Sequence, residues 1–304
     1  MTTHDTANKP RIGFLGLGLM GSLLVERLLQ HGYTLAVYDR TKEKTQEVAQ
    51  KGATVVNTPR DLGAHADVII TMVTDNHALD EVMYAENGVL AGTQQGRTTL
   101  IDMSTVSPET SRHLYQHAKK QGVEMLDAAV SGSTPQAKEG ALMLFVGGDE
   151  ATYQRCKPIL ETVSKISFYM GESGKGTTMK MVVNTLLGLG LQAVAEALAL
   201  GEKAGLEKKQ LLDVLGQTTV ISPSQKTKFA NAEKEEYPVN FALANMRKDF
   251  SLIMRLADEL SVSMPATAAA EQMYAAALAQ GHDEDFPVMI QFMQELSGVK
   301  ANRA

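Results

Sequence analysis

Short runs of branched and aromatic apolar residues alternate, over the first half of the chain, with segments whose apolar positions recur every three or four residues. RIGFLG, YTLAVYD, ATVV and DVIITMV read as strands; LMGSLLVERLLQHG, KEKTQEVAQKG and PRDLGAHA read as the helices between them. TTLIDMS and VEMLDAAV add two strands around a helix, PETSRHLYQHAKKQG, that carries Pro108 near its first turn. ALMLFVGG and KISFYMG extend the sheet. Such alternation predicts a parallel sheet with crossover helices.

Near Gly174 the pattern changes. Strand-like runs stop, and a helical period takes over from about Thr177 to Ala204, which predicts a helix roughly 40 Å long. KKQLLDVLGQ, ALANMRKDFSLIMRLADELS, PATAAAEQMYAAALAQG and DEDFPVMIQFMQEL follow as further helices. The expected organisation is a flexible tail (1–10), an α/β domain (11–174) and an all-helical domain (175–304) that begins with the long interdomain helix. No internal repeat or low-complexity tract interrupts this plan.

The 304 residues suit two domains, and 44% hydrophobic with 21% charged residues is an ordinary globular composition. A net charge of −6 provides no basic field for nucleic acid. One cysteine, Cys156, cannot form an intramolecular bridge, and MTTHDTANKP resembles neither an export nor an organelle signal. No apolar stretch reaches the roughly 20 residues of a bilayer span. The expectation is a cytoplasmic protein with no membrane partner. The seven histidines show no metal-ligand spacing, and there is no H-E-x-x-H pattern or cysteine cluster, so no metal is expected.

GLGLMG places Gly16, Gly18 and Gly21 in G-x-G-x-x-G spacing, with Leu17, Leu19 and Met20 between them, after the first strand and at the mouth of a helix. There, unpaired N–H groups and the positive end of the helix dipole face a pyrophosphate. The fold class is thus α/β, a Rossmann-type doubly wound, mostly parallel sheet followed by an all-helical C-terminal domain. About twenty residues on, Asp39 ends the second strand, where a carboxylate can bind the ribose hydroxyls of NAD(H). Arg40 and Thr41 next to it suit a 2′-phosphate, so the balance leans narrowly to NADP(H), with NAD(H) possible. Val73 and Thr74 in MVTDN, and Ser104 and Thr105 in MSTVSP, lie at strand ends where open α/β sheets bind ligands.

Lys180 and Asn184 are four residues apart, so one helix face carries both. A lysine ammonium beside a carbonyl can protonate the oxygen as hydride reaches the carbon, and Asn184 can orient that oxygen without adding charge. In DAAVSGS, the turn Ser131-Gly132-Ser133 offers N–H and hydroxyl groups to a carboxylate. Lys248 lies on the helix containing MRKDF. Each has a plainer reading: an exposed helical lysine, an ordinary turn, a solvated Lys248–Asp249 pair.

In this order, the four motifs closely resemble the β-hydroxyacid dehydrogenase family over residues 11–298. GLGLMG resembles its cofactor loop, DAAVSGS its D-A-P-V-S-G-G segment, GESGKGTTMKMVVN its G-x-x-G-x-G-x-x-x-K-x-x-N-N motif, and KDF its K-D-L segment. The resemblance implies Lys180 as catalytic acid/base, Asn184 as a substrate ligand, Ser131, Gly132 and Ser133 as carboxylate binders, and Lys248 as a cofactor-side residue. Ala129 replaces the family's proline, Ser133 its second glycine and Val183 the first of two asparagines, departures that alter the pocket contour.

The implied reaction is reversible hydride transfer between NAD(P)(H) and a short 3-hydroxy acid or its semialdehyde, a small carboxylate-bearing substrate. The implied assembly is a homodimer or homotetramer built through the helical domain. Two other readings stand beside it: an imine reductase or reductive aminase of the same fold, and a non-catalytic dinucleotide-binding module.

Overall fold

The computed structural model describes residues 9–299. Most of the expected tail therefore lies outside the described residues; Lys9, assigned to it, is anchored, donating to the His31 carbonyl at 2.5 Å. The chain divides into two compact units, with the break between Lys180 and Met181.

The first unit is built on β1 (Ile12–Leu15), β2 (Leu35–Tyr38), β3 (Thr54–Val55), β4 (Val68–Thr71), β5 (Thr99–Asp102), β6 (Glu124–Ser131), β7 (Leu142–Gly148) and β8 (Ser164–Gly171). They form one sheet in the order β3-β2-β1-β4-β5-β6-β7-β8. Every neighbouring pair is parallel except β6 and β7. The order reverses between β1 and β4, so the loops after these strands flank the point where such sheets bind ligands.

Strands β1, β4 and β5 are buried at every position, which is why none shows the apolar-polar alternation of a half-exposed strand. Val68 and Ile70 join one core cluster with residues of α1 (Leu19–Gln30), while Ile69 between them joins the other with Leu62 of α3 (Pro59–His65). Alternate side chains of one strand thus serve opposite faces. Also in this unit are α2 (Lys42–Ala49), α4 (Asn76–Tyr84), α5 (Pro108–Lys120), α6 (Thr134–Glu139) and α7 (Glu150–Val163). The sequence pattern did not assign α4, α6 or α7. Only Leu79 and Met83 are buried in α4, α6 is six residues long, and α7 carries Pro158 in its interior.

Helix α8 (Lys175–Lys203) runs through the break between units. The second unit continues with α9 (Lys208–Gln217), α10 (Pro223–Lys234), α11 (Leu243–Glu259), α12 (Pro265–Ala279), a 3₁₀ turn at Phe286–Val288 that holds Pro287, and α13 (Met289–Leu296). Unassigned from sequence, α10 buries only Phe229 and Ala232, too few positions to set a visible period. Phe250, Tyr274 and Phe292 fill the core, and the Tyr274 hydroxyl donates to the Gly188 carbonyl at 3.2 Å.

One expectation is corrected here. By length and composition α8, at 29 residues, is apolar enough to cross a bilayer. Lys180, Asn184 and Thr185 break its apolar run and hid this from a reading that sought an uninterrupted stretch. Core helices meet the same criterion, and Met181, Leu191, Val194, Ala195 and Leu198 of α8 are buried in the second unit's core.

Candidate active site

The glycine loop joins β1 to α1. A Cβ on Gly16, whose φ is +101°, would run into the Met72 carbonyl oxygen, and one on Gly21 into that of Gly16. These two glycines let the chain turn and let α1 lie against the strand. Gly18 differs: a Cβ there would meet nothing within 4 Å, so open space lies over the N-cap of α1. The first-turn N–H groups of Leu19, Met20 and Gly21 have no carbonyl four residues back within the helix. Open space above a helix N-terminus fits a dinucleotide pyrophosphate.

Asp39 braces this loop. Its Oδ2 accepts the Leu17 N–H at 2.7 Å and its Oδ1 the Thr41 N–H at 2.8 Å. The Leu17 amide is therefore engaged internally. A carboxylate has about four acceptor sites, so Asp39 retains capacity for a ribose hydroxyl. Arg40 is exposed beside it.

The ends of β4 and β5 are tied together by side chains. Ser104, which is buried, accepts the Val73 N–H on Oγ at 2.9 Å. Asp102 Oδ1 accepts the Thr71 hydroxyl at 2.8 Å and the Ser104 N–H at 3.1 Å. Burial pushes the Asp102 carboxyl above the usual carboxylate range, against the opposing pull of the Ser104 and Thr71 hydrogen bonds. Ser104 therefore acts here as a latch between two loops, with its oxygen turned to Val73. Thr74 and Thr105 lie in the same two loops.

Beyond β6, Ser131 leads into Gly132, whose φ of +135° suits only glycine. Ser133 is the N-cap of α6: its N–H and hydroxyl both go to Gln136 Oε1, at 3.0 and 2.6 Å. For this serine the plainer reading describes the observed bonds, and Ser131, before it, is the last residue of β6, paired in register with Met143 of β7. Upstream on β6, Asp127 is 1% exposed. Burial, with a smaller repulsion from Asp102, pushes its carboxyl up to about 6, against hydrogen bonds from Gly174 and Thr177.

Lys180 is half-buried on α8. One turn on, Asn184 is fully buried, and its Nδ2 donates to Asp249 Oδ2 at 2.5 Å. Asp249, 1% exposed, also pairs with Lys248, whose Nζ lies 3.0 Å from Oδ1. The Lys248–Asp249 pair is thus a buried carboxylate holding an ammonium and an amide, in place of a solvated pair. Asn184 Oδ1 has no hydrogen-bond partner among the described residues, so its acceptor side faces no protein donor. Among the same residues, no group of three or more His, Cys, Asp or Glu side chains is placed to hold a metal ion.

Sequence reasoning passed over Asp102 and Asp127, and read Asp249 only as a partner of Lys248 in a solvated pair. The signal lay in TLIDMS and VEMLDAAV, where a carboxylate sits inside an otherwise apolar strand; a buried charge must find partners. For Asp249 no comparable signal exists, since KDF on a helix reads as surface.

The family model for the NAD-binding domain of 6-phosphogluconate dehydrogenase matches residues 11–171. That for the NAD-binding domain of NADP-dependent 3-hydroxyisobutyrate dehydrogenase matches residues 174–293. The chain is 34% identical over 294 residues to glyoxylate/succinic semialdehyde reductase 2, chloroplastic, of Arabidopsis thaliana, covering 96% of this chain and 82% of that one. It is 35% identical over 268 residues to the cytokine-like nuclear factor N-PAC of Anopheles gambiae, covering 88% of this chain but spanning only about half, 47%, of that relative. The solved 3-hydroxyisobutyrate dehydrogenase of Mycobacterium tuberculosis with L-serine superposes with a TM-score of 0.84 at 29% identity, covering 94% of this chain and 100% of that one. The chain belongs to the β-hydroxyacid dehydrogenase family.

Proposed function

We propose that the protein reversibly reduces short-chain semialdehydes to the corresponding hydroxy acids, 3-hydroxy acids first among them, with Lys180 as general acid/base. Family membership makes it an NAD(P)-dependent oxidoreductase of hydroxy acids and semialdehydes. One observation carries the assignment: Lys180 stands one turn before Asn184 on α8, and Asp249 holds the buried Asn184 amide through Nδ2 while Asn184 Oδ1 has no hydrogen-bond partner among the described residues.

The nicotinamide, when bound, supplies hydride to the carbonyl carbon or takes it back. Gly18 and the first turn of α1 would hold its pyrophosphate, with Asp39, Arg40 and Thr41 at the ribose. The Lys180 ammonium gives a proton to the carbonyl oxygen, and in the oxidative direction the amine recovers it from the hydroxyl. Asn184 orients that hydroxyl through Oδ1, and Ser131 with Gly132 receives the carboxylate, joined by Ser133 when Gln136 releases it. Lys248 is assigned to the cofactor on the strength of the KDF motif alone.

Residues 11–174 serve as the cofactor domain and 175–304 as the substrate and oligomerisation domain. NADP(H) is the favoured cofactor, supported by exposed Arg40 and by the NADP-dependent description of the second family model. A homodimer or homotetramer is supported by Val182, Leu186 and Leu200, exposed along α8. A reducing cytoplasm accords with a single, buried cysteine. The test is turnover on a panel of C2 to C5 semialdehydes, glyoxylate and succinic semialdehyde included, with NADPH and NADH. A cyclic imine turned over faster than every aldehyde would overturn the carbonyl assignment.

A further inference from the structure

One buried side chain holds the start of α8 to the sheet. Asp127 Oδ1 accepts the Gly174 N–H at 2.7 Å, and Oδ2 accepts the Thr177 N–H at 2.9 Å and the Thr177 hydroxyl at 3.2 Å. All three donors come from the turn that opens the helix. Helix N-termini leave N–H groups without partners and carry a partial positive charge, and a carboxylate answers both. Here the cap comes from a strand some fifty residues away rather than from the residue preceding the helix.

The surroundings are shaped to this carboxylate. A Cβ on Gly147 would lie 2.6 Å from Asp127 Oδ1. One on Gly176 would lie 2.9 Å from Oδ2 and would also run into the Phe145 carbonyl oxygen. Gly174 turns the chain with a φ of +84°. Gly174 and Gly176 of GESGKG thus have a physical reason: they let the opening of α8 turn and press against β6 and β7 around one charged side chain.

Lys180 follows Thr177 by three residues, a rise of about 4.5 Å along the helix. The turn that Asp127 grips therefore sets both the height and the azimuth of Lys180. Four residues beyond Asp127 on β6 stands Ser131, about 13 Å along the strand. A single strand thus carries the anchor of the proton donor's helix and the first residue of the turn assigned to the substrate carboxylate.

We propose that Asp127 is a positioning residue for Lys180, fixing the ammonium relative to the Ser131-Gly132 turn by capping α8 from β6. The inference rests on the reading of Lys180 as acid/base. A helix start freed from its cap leaves the lysine its charge but not its place, and misplacement by about 1 Å costs roughly 10²-fold in rate.

The test compares Asp127→Asn, Lys180→Ala, the double variant and the parent in NADPH-dependent reduction of succinic semialdehyde. Asparagine keeps the shape but turns one N–H edge toward the donors of α8. The expected Asp127→Asn protein is folded by circular dichroism, binds NADPH within twofold of the parent, and has kcat lower by roughly 10- to 10²-fold. Because Asp127 acts through Lys180, the double variant is then no slower than Lys180→Ala alone. Asp127→Asn turnover within twofold of the parent overturns the proposal, as does an equal slowing in both backgrounds. Full turnover in Lys180→Ala itself overturns the acid/base reading and the positioning role with it, an outcome recognised from that single variant. Should Asp127→Asn fail to fold, Thr177→Val removes one of the three donors: a severalfold fall in kcat, absent in the Lys180→Ala background, is expected, and parental kcat contradicts the proposal.

Discussion

Asn184 and Asp249, 65 residues apart in sequence, meet in a 2.5 Å hydrogen bond in which the amide of Asn184 donates to a carboxylate sealed from solvent. That bond decides which end of the amide is free. With Nδ2 engaged, the acceptor left to Asn184 is Oδ1, which is buried and has no hydrogen-bond partner among the described residues.

Removing the carboxylate is expected to act on stability and binding together. Asp249→Ala removes the carboxylate shared by the Lys248 ammonium and the buried Asn184 amide. The expected loss is roughly 2–4 kcal/mol, below that for a fully buried pair because Lys248 keeps part of its hydration. The urea midpoint measures the first effect, and KM for the hydroxy acid the second, expected to rise. A midpoint unchanged from the parent would remove this bond from the account.

Cofactor choice is expected to follow Arg40 more than Asp39. Arg40→Ala should weaken NADPH binding about tenfold or more, the scale of one charge-assisted hydrogen bond, and leave NADH nearly unaffected. Asp39→Asn should improve the NADPH-to-NADH ratio, since it removes a charge next to a 2′-phosphate while keeping one acceptor for the Leu17 and Thr41 N–H groups. Paired fluorescence titrations read both. Parental discrimination in Arg40→Ala would contradict the NADP(H) assignment.

Asp127 gives the protein a pH dependence of defined sign. Burial raises its carboxyl from 3.8 to about 6, so between these values the folded protein binds more protons than the unfolded chain. Its contribution favours the fold most below pH 3.8 and is lost as pH rises through about 6. The stability difference between the parent and Asp127→Asn should therefore move against the parent as pH rises from 4 to 7, measured as the difference in thermal midpoint. Turnover should move the opposite way: the ionised carboxylate matches three donors, and kcat is expected to climb as pH rises through about 6. A difference in midpoint that is flat with pH would contradict the assignment.

Much of the first unit was legible because its central strands are covered on both faces, so DVIITMV announces β4 without help from its neighbours. The glycine loop was legible for a similar reason: its spacing is local. The long helix announced itself by period, and its start fell within two residues of the expected one. What stayed hidden depends on distance along the chain. Asp127 was plain to see inside VEMLDAAV, yet its partners Gly174 and Thr177 lie 47 and 50 residues away. Ser133 reads alike as a carboxylate binder and as an N-cap, because a Ser-Gly-Ser turn and an N-cap use the same residue types, and Gln136 three residues on carries the cap signal. Helix α10, with its Ser222 and Gln225 capping box and Pro223, carried start signals that outweigh its weak apolar period.

The central claim, that the Lys180 amine exchanges a proton with the substrate oxygen, is tested most directly by single-turnover reduction of succinic semialdehyde by Lys180→Ala loaded with NADPH. The expected result is a hydride-transfer rate lower by roughly 10²–10⁴-fold with NADPH affinity retained. A rate within a few fold of the parent would contradict it.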